Sequence, residues 1–261
     1  MELQGQYEEL KRRGIGLAAV SYDRPETLKK FAAARGITFP LISDPDSAII
    51  KRYGIFNTTV EPGTRAFGVP FPGTFMLDAK GIVRARYFED AYQERNTAAS
   101  ILVRQGAPGA GPITTADTRH LSLTATLSDH EVAPGKRLTV VYDVTPHRGM
   151  HVYAPGKHDY QVISVALDPQ VWLKSQPISY PRSEIYHFKP LDERVEVFMT
   201  PFRLTQDLTI LATPEVQKLL ANEKSLTITG RVNYQACDDT VCYAPTSVPV
   251  KWTLPLKPLL R

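Results

Sequence analysis

Apolar residues keep two different periods along this chain, and the switch between them divides it. Up to about residue 105, short apolar runs alternate with stretches of helical spacing. From Leu121 onward the period is two: Leu121-Ser-Leu-Thr-Ala-Thr-Leu127 alternates strictly, and Arg137–Val144 follows an Ala-Pro-Gly-Lys turn. A period near 3.6 belongs to helices and a period of 2 to half-buried strands. The first part therefore predicts an α/β layered domain and the second an all-β sandwich of immunoglobulin type. Between them residues 106–117, Gly-Ala-Pro-Gly-Ala-Gly-Pro-Ile-Thr-Thr-Ala-Asp, are small, turn-rich and aperiodic, and predict a linker. The expected division is 1–105, 106–117 and 118–256. At 261 residues the chain is long enough for two cores of ordinary size.

In the first part, residues 2–13 predict an amphipathic helix with Leu3, Tyr7 and Leu10 on one face, opening without a cap. Gly16–Ser21 predicts a strand buried on both sides. Pro25–Arg35 predicts a helix with proline in its first turn and Gly36 at its end. Phe39–Ser43 predicts a short strand, and Asp46 or Ser47 caps a helix through Tyr53 that Gly54 stops. Thr74–Asp78 and Ile82–Phe88 predict a hairpin, and a last helix is expected from about Glu94 to Gln105. In the second part, strands are expected at His151–Tyr153, Gln161–Leu167, Val195–Met199 and Pro201–Thr205, with a short helix or a turn at Pro214–Asn222 for which Thr213 is the candidate cap. Two more strands, Leu226–Tyr234 and Ser247–Leu254, flank the cysteines.

The formal net charge is +4, and no basic stripe interleaved with aromatics runs through the chain, which argues against nucleic acid. The longest apolar runs fall far short of the 18 or so residues that span a bilayer. No signal peptide is visible in the chain as given.

Cys237 and Cys242 are the only cysteines, five positions apart. In one continuous strand their sulfurs would lie on opposite faces, roughly 17 Å apart. If the chain turns back through Asp238-Asp239-Thr240-Val241, they face each other within reach of a disulfide. A loop of about six residues removes only about 2 kcal/mol of unfolded-state entropy, which makes it a weak staple. A short, exposed pair at a turn suits a disulfide that is made and broken. Zinc would want four ligands, and no second cysteine pair or His-x₃₋₅-His lies nearby, so neither metal nor cofactor is expected. Asp238 and Asp239 disfavour a thiolate beside them, or else form an ordinary polar turn; both readings stand.

Gly16-Leu-Ala-Ala-Val-Ser-Tyr-Asp23, Phe39-Pro-Leu-Ile-Ser-Asp44, Lys51-Arg-Tyr-Gly-Ile55 and Pro70-Phe-Pro-Gly-Thr-Phe-Met-Leu-Asp-Ala-Lys-Gly81 resemble, in that order, the second half of a redoxin domain. The family is the thioredoxin-fold AhpC/TSA group, and the likeness covers about residues 1–105. It implies a domain that here lacks its first strand and cysteine motif, so that a true start upstream, with a signal peptide and those thiols, is expected. A redoxin relic serving as scaffold is the alternative. The likeness also makes Pro72 a candidate cis-proline beside an active thiol, against an ordinary loop proline.

Residues 118–256 resemble the N-terminal domain of the thiol:disulfide interchange protein DsbD. Tyr234-Gln-Ala-Cys237 with Cys242-Tyr-Ala-Pro245, Ser183-Glu-Ile-Tyr186 and Gly149-Met-His-Val-Tyr153 carry the likeness. It implies that Cys237 and Cys242 exchange a disulfide in a periplasmic or other extracytoplasmic space. The implied partners are other thioredoxin-like proteins and a membrane-embedded thiol reductase. Tyr153 matches the family's aromatic strand, whereas His151 departs from it, either tuning the thiols or serving as framework. Tyr234 precedes the first cysteine; the segment Gln176–Pro181 lacks the family's shielding phenylalanine, so that either Ile178 or Tyr180 stands in for it or the pair is uncovered. Glu184, Tyr186 and His187 read as surface.

The reading is a thiol:disulfide oxidoreductase that relays electrons through one cysteine pair. Two alternatives remain: an AhpC/TSA-type antioxidant that reduces peroxides with a cysteine upstream of this chain, and a non-catalytic interaction module pinned by a structural disulfide. A reduction potential below about −300 mV would mark the last of these.

Overall fold

The computed structural model describes residues 2–64, 67–88, 95–188 and 192–257. It divides into two compact units, Met1–Ala98 and Ala99–Arg261. The first contains α1 (Glu2–Arg12), β1 (Ala19–Ser21), α2 (Pro25–Arg35), β2 (Leu41–Ser43), α3 (Ala48–Arg52), β3 (Gly73–Leu77), β4 (Val83–Phe88) and β5 (Arg95–Asn96). α1 buries Leu10, and Tyr7 meets the edge of Phe39 with ring centroids 5.7 Å apart, while Leu3 stays exposed. α2 carries proline in its first turn and stops at Gly36, whose φ of 61° is the left-handed geometry that glycine adopts without a Cβ clash.

β1 and β2 pair in parallel, Val20 opposite Ile42. The strand expected to run from Gly16 and to be buried on both sides is shorter, and Val20 and Ile42 are both partly exposed. Neither Asp46 nor Ser47 caps α3 with its side chain. Asp44 takes that part instead, its carboxylate accepting the Ile50 amide at 2.9 Å from a buried position. β3 and β4 form the expected hairpin, with Asp78 accepting from the Lys80 and Ile82 amides in the turn. Gly73 is required there because a Cβ would strike the Phe88 ring. Pro72, the candidate cis-proline, is in the trans form of its alternative, an ordinary loop proline: every peptide bond among the described residues is trans. Trans is the form an X–Pro bond prefers by about 0.5–1 kcal/mol unless packing overrides it.

The second unit begins in α4 (Ala98–Arg104); the expected helix start at Glu94 lies outside the described residues. There follow β6 (Ile113–Asp117), β7 (Leu121–Leu127), β8 (Lys136–Pro146), β9 (His151–Tyr153), β10 (Ser164–Leu167), β11 (Leu173–Ser179), β12 (Glu184–Phe188), β13 (Glu193–Phe198) and β14 (Phe202–Ile210). α5 (Pro214–Leu220), β15 (Ser225–Tyr234), β16 (Ala236–Cys237) and β17 (Thr246–Pro255) complete it. Thr213 caps α5 as expected, its hydroxyl accepting the Val216 amide.

One sheet runs β11–β14–β8–β7–β6 and faces a second of order β10–β15–β17. Strict alternation places Leu121, Leu123, Tyr142, Leu204 and Leu208 in the same buried cluster as Leu226, Ile228, Val232, Val250 and Trp252. The stretch expected to be a linker is part of this sandwich. β6 pairs with β7 from Ile113↔Thr126 to Asp117↔Ser122, and a Cβ on Gly111 would collide with the Asp129 carbonyl. Gly109 and Gly111 serve close backbone approach, while Gly106 supplies a positive φ of 86° just past α4. A third sheet, of four short strands in the order β12–β13–β9–β16, carries both the aromatic strand and the first cysteine.

Candidate functional site

The two cysteines meet because the chain leaves β15 at Tyr234, makes two residues of β16 against β9, and then turns. Cys237 is the register partner of His151, and Cys237 and Cys242 form an antiparallel bridge of their own. Their Cα atoms are 4.2 Å apart and their sulfurs are joined in a disulfide. Backbone bonds hold the ribbon on either side, from the Asp238 amide to the Val241 carbonyl and from the Tyr243 amide to the Ala236 carbonyl, each 3.0 Å.

The Asp238 carboxylate fills the turn. Oδ1 accepts the Thr240 amide, the Thr240 hydroxyl and the Val241 amide at 2.7–2.8 Å, and Oδ2 accepts the Tyr243 hydroxyl at 2.8 Å. The Thr240 amide, with the Thr240 and Tyr243 hydroxyls and the Val241 amide behind it, holds this carboxyl far below the usual carboxylate range. A depressed pKa contributes order that is present above the ordinary aspartate value and lost only as pH falls through the folded one. The turn is thus expected to stay closed from neutral pH to below 3.8, the ordinary value. Exchange of the Thr240 and Val241 amides across a pH series checks this; Asp238→Ala should expose both amides at every pH, and Asp238→Asn, which keeps Oδ1, should not.

The two sulfurs are unlike in exposure. Cys237 is 1% exposed, whereas Cys242 lies on the surface beside Val241. The Tyr153 hydroxyl reaches both, 3.0 Å from Cys237 Sγ and 3.5 Å from Cys242 Sγ. With the sulfurs in a disulfide, the hydroxyl is the donor. Tyr153 stacks on Tyr160, with ring centroids 4.1 Å apart and planes at 6°, and the Tyr160 hydroxyl donates to Glu193 at 2.8 Å. Burial, reinforced by Tyr160 and Glu193, raises the Tyr153 phenol well above its ordinary value; the Glu193 bond, ahead of burial, raises Tyr160. Both phenols keep their protons at any physiological pH.

His151 sits on the same strand face as Tyr153, buried, with its ring against Tyr186 at 4.5 Å between centroids. Burial lowers its pKa against the opposing pull of Asp239 and Asp238, so the neutral imidazole is favoured. The Tyr186 hydroxyl donates to Asp239 at 2.8 Å, which ties β12 to the tip of the cysteine turn.

Comparison with known proteins follows the division of the chain. Residues 1–86 match the AhpC/TSA family, and residues 124–252 match the N-terminal region of the thiol:disulfide interchange protein DsbD. The chain joins an AhpC/TSA-type segment to a DsbD N-terminal-type domain. The first is thioredoxin-like α/β and the second an immunoglobulin-like β domain. Alkyl hydroperoxide reductase E of Mycobacterium bovis is 34% identical over 85 residues, which are 32% of this chain and 51% of that protein. The chain spans about half the length of the curated relatives it matches. Among solved structures, the N-terminal periplasmic domain of ScsB from Proteus mirabilis aligns with a TM-score of 0.39 at 13% identity, covering 53% of this chain and 48% of that one. The reduced DsbD N-terminal domain of Neisseria meningitidis aligns with a TM-score of 0.29 at 17% identity, covering 45% and 80%. No described helix is long and apolar enough to cross a membrane.

Within the DsbD-type domain the expected residues divide into two groups. Cys237, Cys242, Asp238, Asp239, Tyr153 and His151 come together at the turn, as described. Tyr234 does not join them: it is wholly buried in the sandwich core, and its hydroxyl donates to Thr118 at 2.9 Å. Ile178 and Tyr180 are not the shield either. Alternation along β11 and past its end turns both onto the sandwich core, where the Tyr180 hydroxyl donates to the Ile163 carbonyl at 2.8 Å.

The cover over Cys237 is Tyr153 with Tyr160 and Tyr186, in one cluster with Val195 and Val197. Tyr186, expected at the surface, is thus part of the site, while its neighbours Glu184 and His187 face Thr200 and Asp192. Tyr160 and Glu193 belong to no motif in the sequence, whereas Tyr243 lies within Cys242-Tyr-Ala-Pro245 and Tyr186 within Ser-Glu-Ile-Tyr186, with no role assigned to Tyr243 and a surface place to Tyr186.

Proposed function

We propose that the DsbD-type domain carries reducing equivalents by thiol–disulfide exchange, using Cys237 and Cys242 with thioredoxin-like partners in an extracytoplasmic space. One observation carries this reading: one sulfur is open to a visitor, while the other is buried under a hydroxyl that donates to it. The order of events follows from that asymmetry. A partner's thiolate attacks Cys242 Sγ, the bond between the two sulfurs breaks, and its electron pair goes to Cys237 Sγ. The Tyr153 hydroxyl donates a hydrogen bond to the emerging thiolate, which is then protonated. The partner's second thiol gives up its proton and attacks its own sulfur in the mixed disulfide, so that Cys242 leaves as a thiolate and takes a proton in turn. Two electrons and two protons pass from the partner's dithiol to this pair, and the reverse sequence passes them on. The match to the thiol:disulfide interchange protein DsbD supports an oxidising compartment, where disulfides persist. The same match supports a membrane-embedded thiol reductase as the electron donor.

The test is a thioredoxin with a single cysteine, activated as its thionitrobenzoate adduct and offered to two variants. Cys237→Ser should form the mixed disulfide on Cys242 and release thionitrobenzoate at least about tenfold faster than Cys242→Ser does with its buried thiol. Equal rates, or the reverse order, would overturn the assignment of Cys242 as the point of entry.

A second reading, reduction of peroxides, draws on the AhpC/TSA match and on the reductase relative. Both cysteines of this chain lie outside the matched residues. Peroxide consumption that survives Cys237→Ser/Cys242→Ser would favour it.

A further inference from the structure

Two segments without cysteine converge behind the buried sulfur. Tyr160 comes from the turn after β9, lined by Lys157, His158 and Asp159, and Glu193 from the first residue of β13; together they border an open depression. The stack of Tyr160 on Tyr153 means that Tyr153 cannot tip its hydroxyl off Cys237 without sliding past the other ring. Tyr160 in turn is held by its bond to Glu193. Glu193 is anchored on the strand that pairs with β9, where Val197 is the register partner of Tyr153 itself. Both ends of the tether therefore rest on neighbouring strands of one small sheet.

We propose that Glu193, acting through Tyr160, is a positioning residue that holds the Tyr153 hydroxyl as a donor on the Cys237 sulfur and so governs how readily that sulfur leaves as a thiolate. Its importance for turnover rests on the exchange reading; the effect on the sulfur does not. Two routes from Glu193 to Cys237 have opposite signs. A hydroxyl held on the thiolate favours the charged form, whereas a carboxylate acting through space disfavours it. Asp238 and Asp239 at the turn, His151 opposite Cys237, Tyr186 beside it, and Lys157, His158 and Asp159 beside Tyr160 stay the same in every variant below and drop out of the comparison.

The experiment uses the full chain carrying Cys242→Ser, in which Cys237 is the one thiol, reduced with a phosphine so that no partner is needed. Thiolate absorbance is followed against pH. Glu193→Ala, which removes the acceptor, should raise the Cys237 pKa by about one pH unit. Tyr160→Phe keeps the ring and the stack but loses the tether, and should do the same. Glu193→Gln restores an acceptor oxygen without the charge and should recover most of the loss. With Tyr153→Phe added, Glu193→Ala and Tyr160→Phe should change nothing further. A lowered or unmoved pKa in Glu193→Ala, or a shift that persists without the Tyr153 hydroxyl, overturns the proposal, since Glu193 would then act by charge or not at all. If the exchange reading is what fails, the wild-type disulfide stays inert towards a thioredoxin dithiol while this titration keeps its pattern.

Discussion

Phenylalanine in place of Tyr153 should slow reduction of the Cys237–Cys242 disulfide by about tenfold or more at neutral pH, with the fold intact. The substitution removes one oxygen. The ring still covers Cys237 and still stacks on Tyr160, so packing around the sulfur changes little. What is lost is the donor 3.0 Å from the sulfur that must accept the electron pair. A hydrogen bond to a charged group contributes about 1.5–3 kcal/mol net, and each 1.36 kcal/mol of barrier is about tenfold in rate. Only part of the charge has reached the sulfur in the transition state, which places the expected effect nearer tenfold than hundredfold. Water cannot take the hydroxyl's place, because Cys237 is 1% exposed. Stopped-flow reduction by a thioredoxin dithiol and by dithiothreitol measures it. Both rates should fall together, since the loss sits at the leaving sulfur and not at the docking surface. A change of less than about twofold in both would show that the hydroxyl is a packing feature. A fall confined to the thioredoxin would move its role to partner recognition.

How much of this site was legible in advance depended on how its residues are spaced along the chain. The cysteine turn is local, so five positions and a polar tetrapeptide predict it, and the structure closes it as expected. His151 and Tyr153 were legible because a strand places every second residue on one face. Tyr160 and Glu193 belong to no such pattern. Tyr160 sits in an aperiodic turn that folds back on β9, and Glu193 at a strand end that only the pairing of β13 with β9 brings to it. Long-range register of that kind leaves no trace in local periodicity. The misplacement of Ile178 and Tyr180 has the same origin. Likeness places their segment over the cysteines, yet β11 pairs with β14 and alternation takes both side chains into the main core. The linker failed differently. Glycine and proline over 106–117 signalled freedom by composition, but Gly109 and Gly111 are small because the backbone of Leu127 and Asp129 lies against them. Composition alone cannot distinguish a glycine that must bend from one that must fit.

The α/β unit shows the converse. Its helices and hairpin fall close to where proline, glycine and periodicity placed them, since each is decided within a dozen residues. The Ser47 cap was the exception. The residue type was right, but its hydroxyl turns to the Gly68 carbonyl at 3.3 Å, 21 positions away, and Asp44 reaches over to the helix instead.

The other large effect expected lies far from the sulfurs, in the core that carries the third sheet. Trp252 is 1% exposed on β17; its indole nitrogen donates to the Ala125 carbonyl at 3.0 Å, and its ring meets the edge of Tyr142 with centroids 6.2 Å apart. It thus joins the two sheets of the sandwich by packing and by one hydrogen bond at once. Trp252→Ala should cost about 3–5 kcal/mol from lost burial and the cavity left behind. A domain stable by about 5–15 kcal/mol would lose a large fraction of that, and at about 2–4 °C per kcal/mol its melting point should fall by about 6–20 °C. Trp252→Phe keeps much of the buried ring and should cost less, since it leaves a smaller void, and the Ala125 carbonyl loses the indole donor but keeps its place in the ladder between β6 and β7. Scanning calorimetry of the oxidised chain measures both. The melting transition should fall while the reduction rate of the still-folded fraction at 25 °C stays within about twofold of wild type, because the donor, the leaving sulfur and the entering sulfur all lie on or beside the small sheet. If the reduction rate fell in step with the melting point instead, the turn and its aromatic cover would have to draw their geometry from the sandwich core, and the local tether through Tyr160 and Glu193 would not suffice to hold Tyr153 in place.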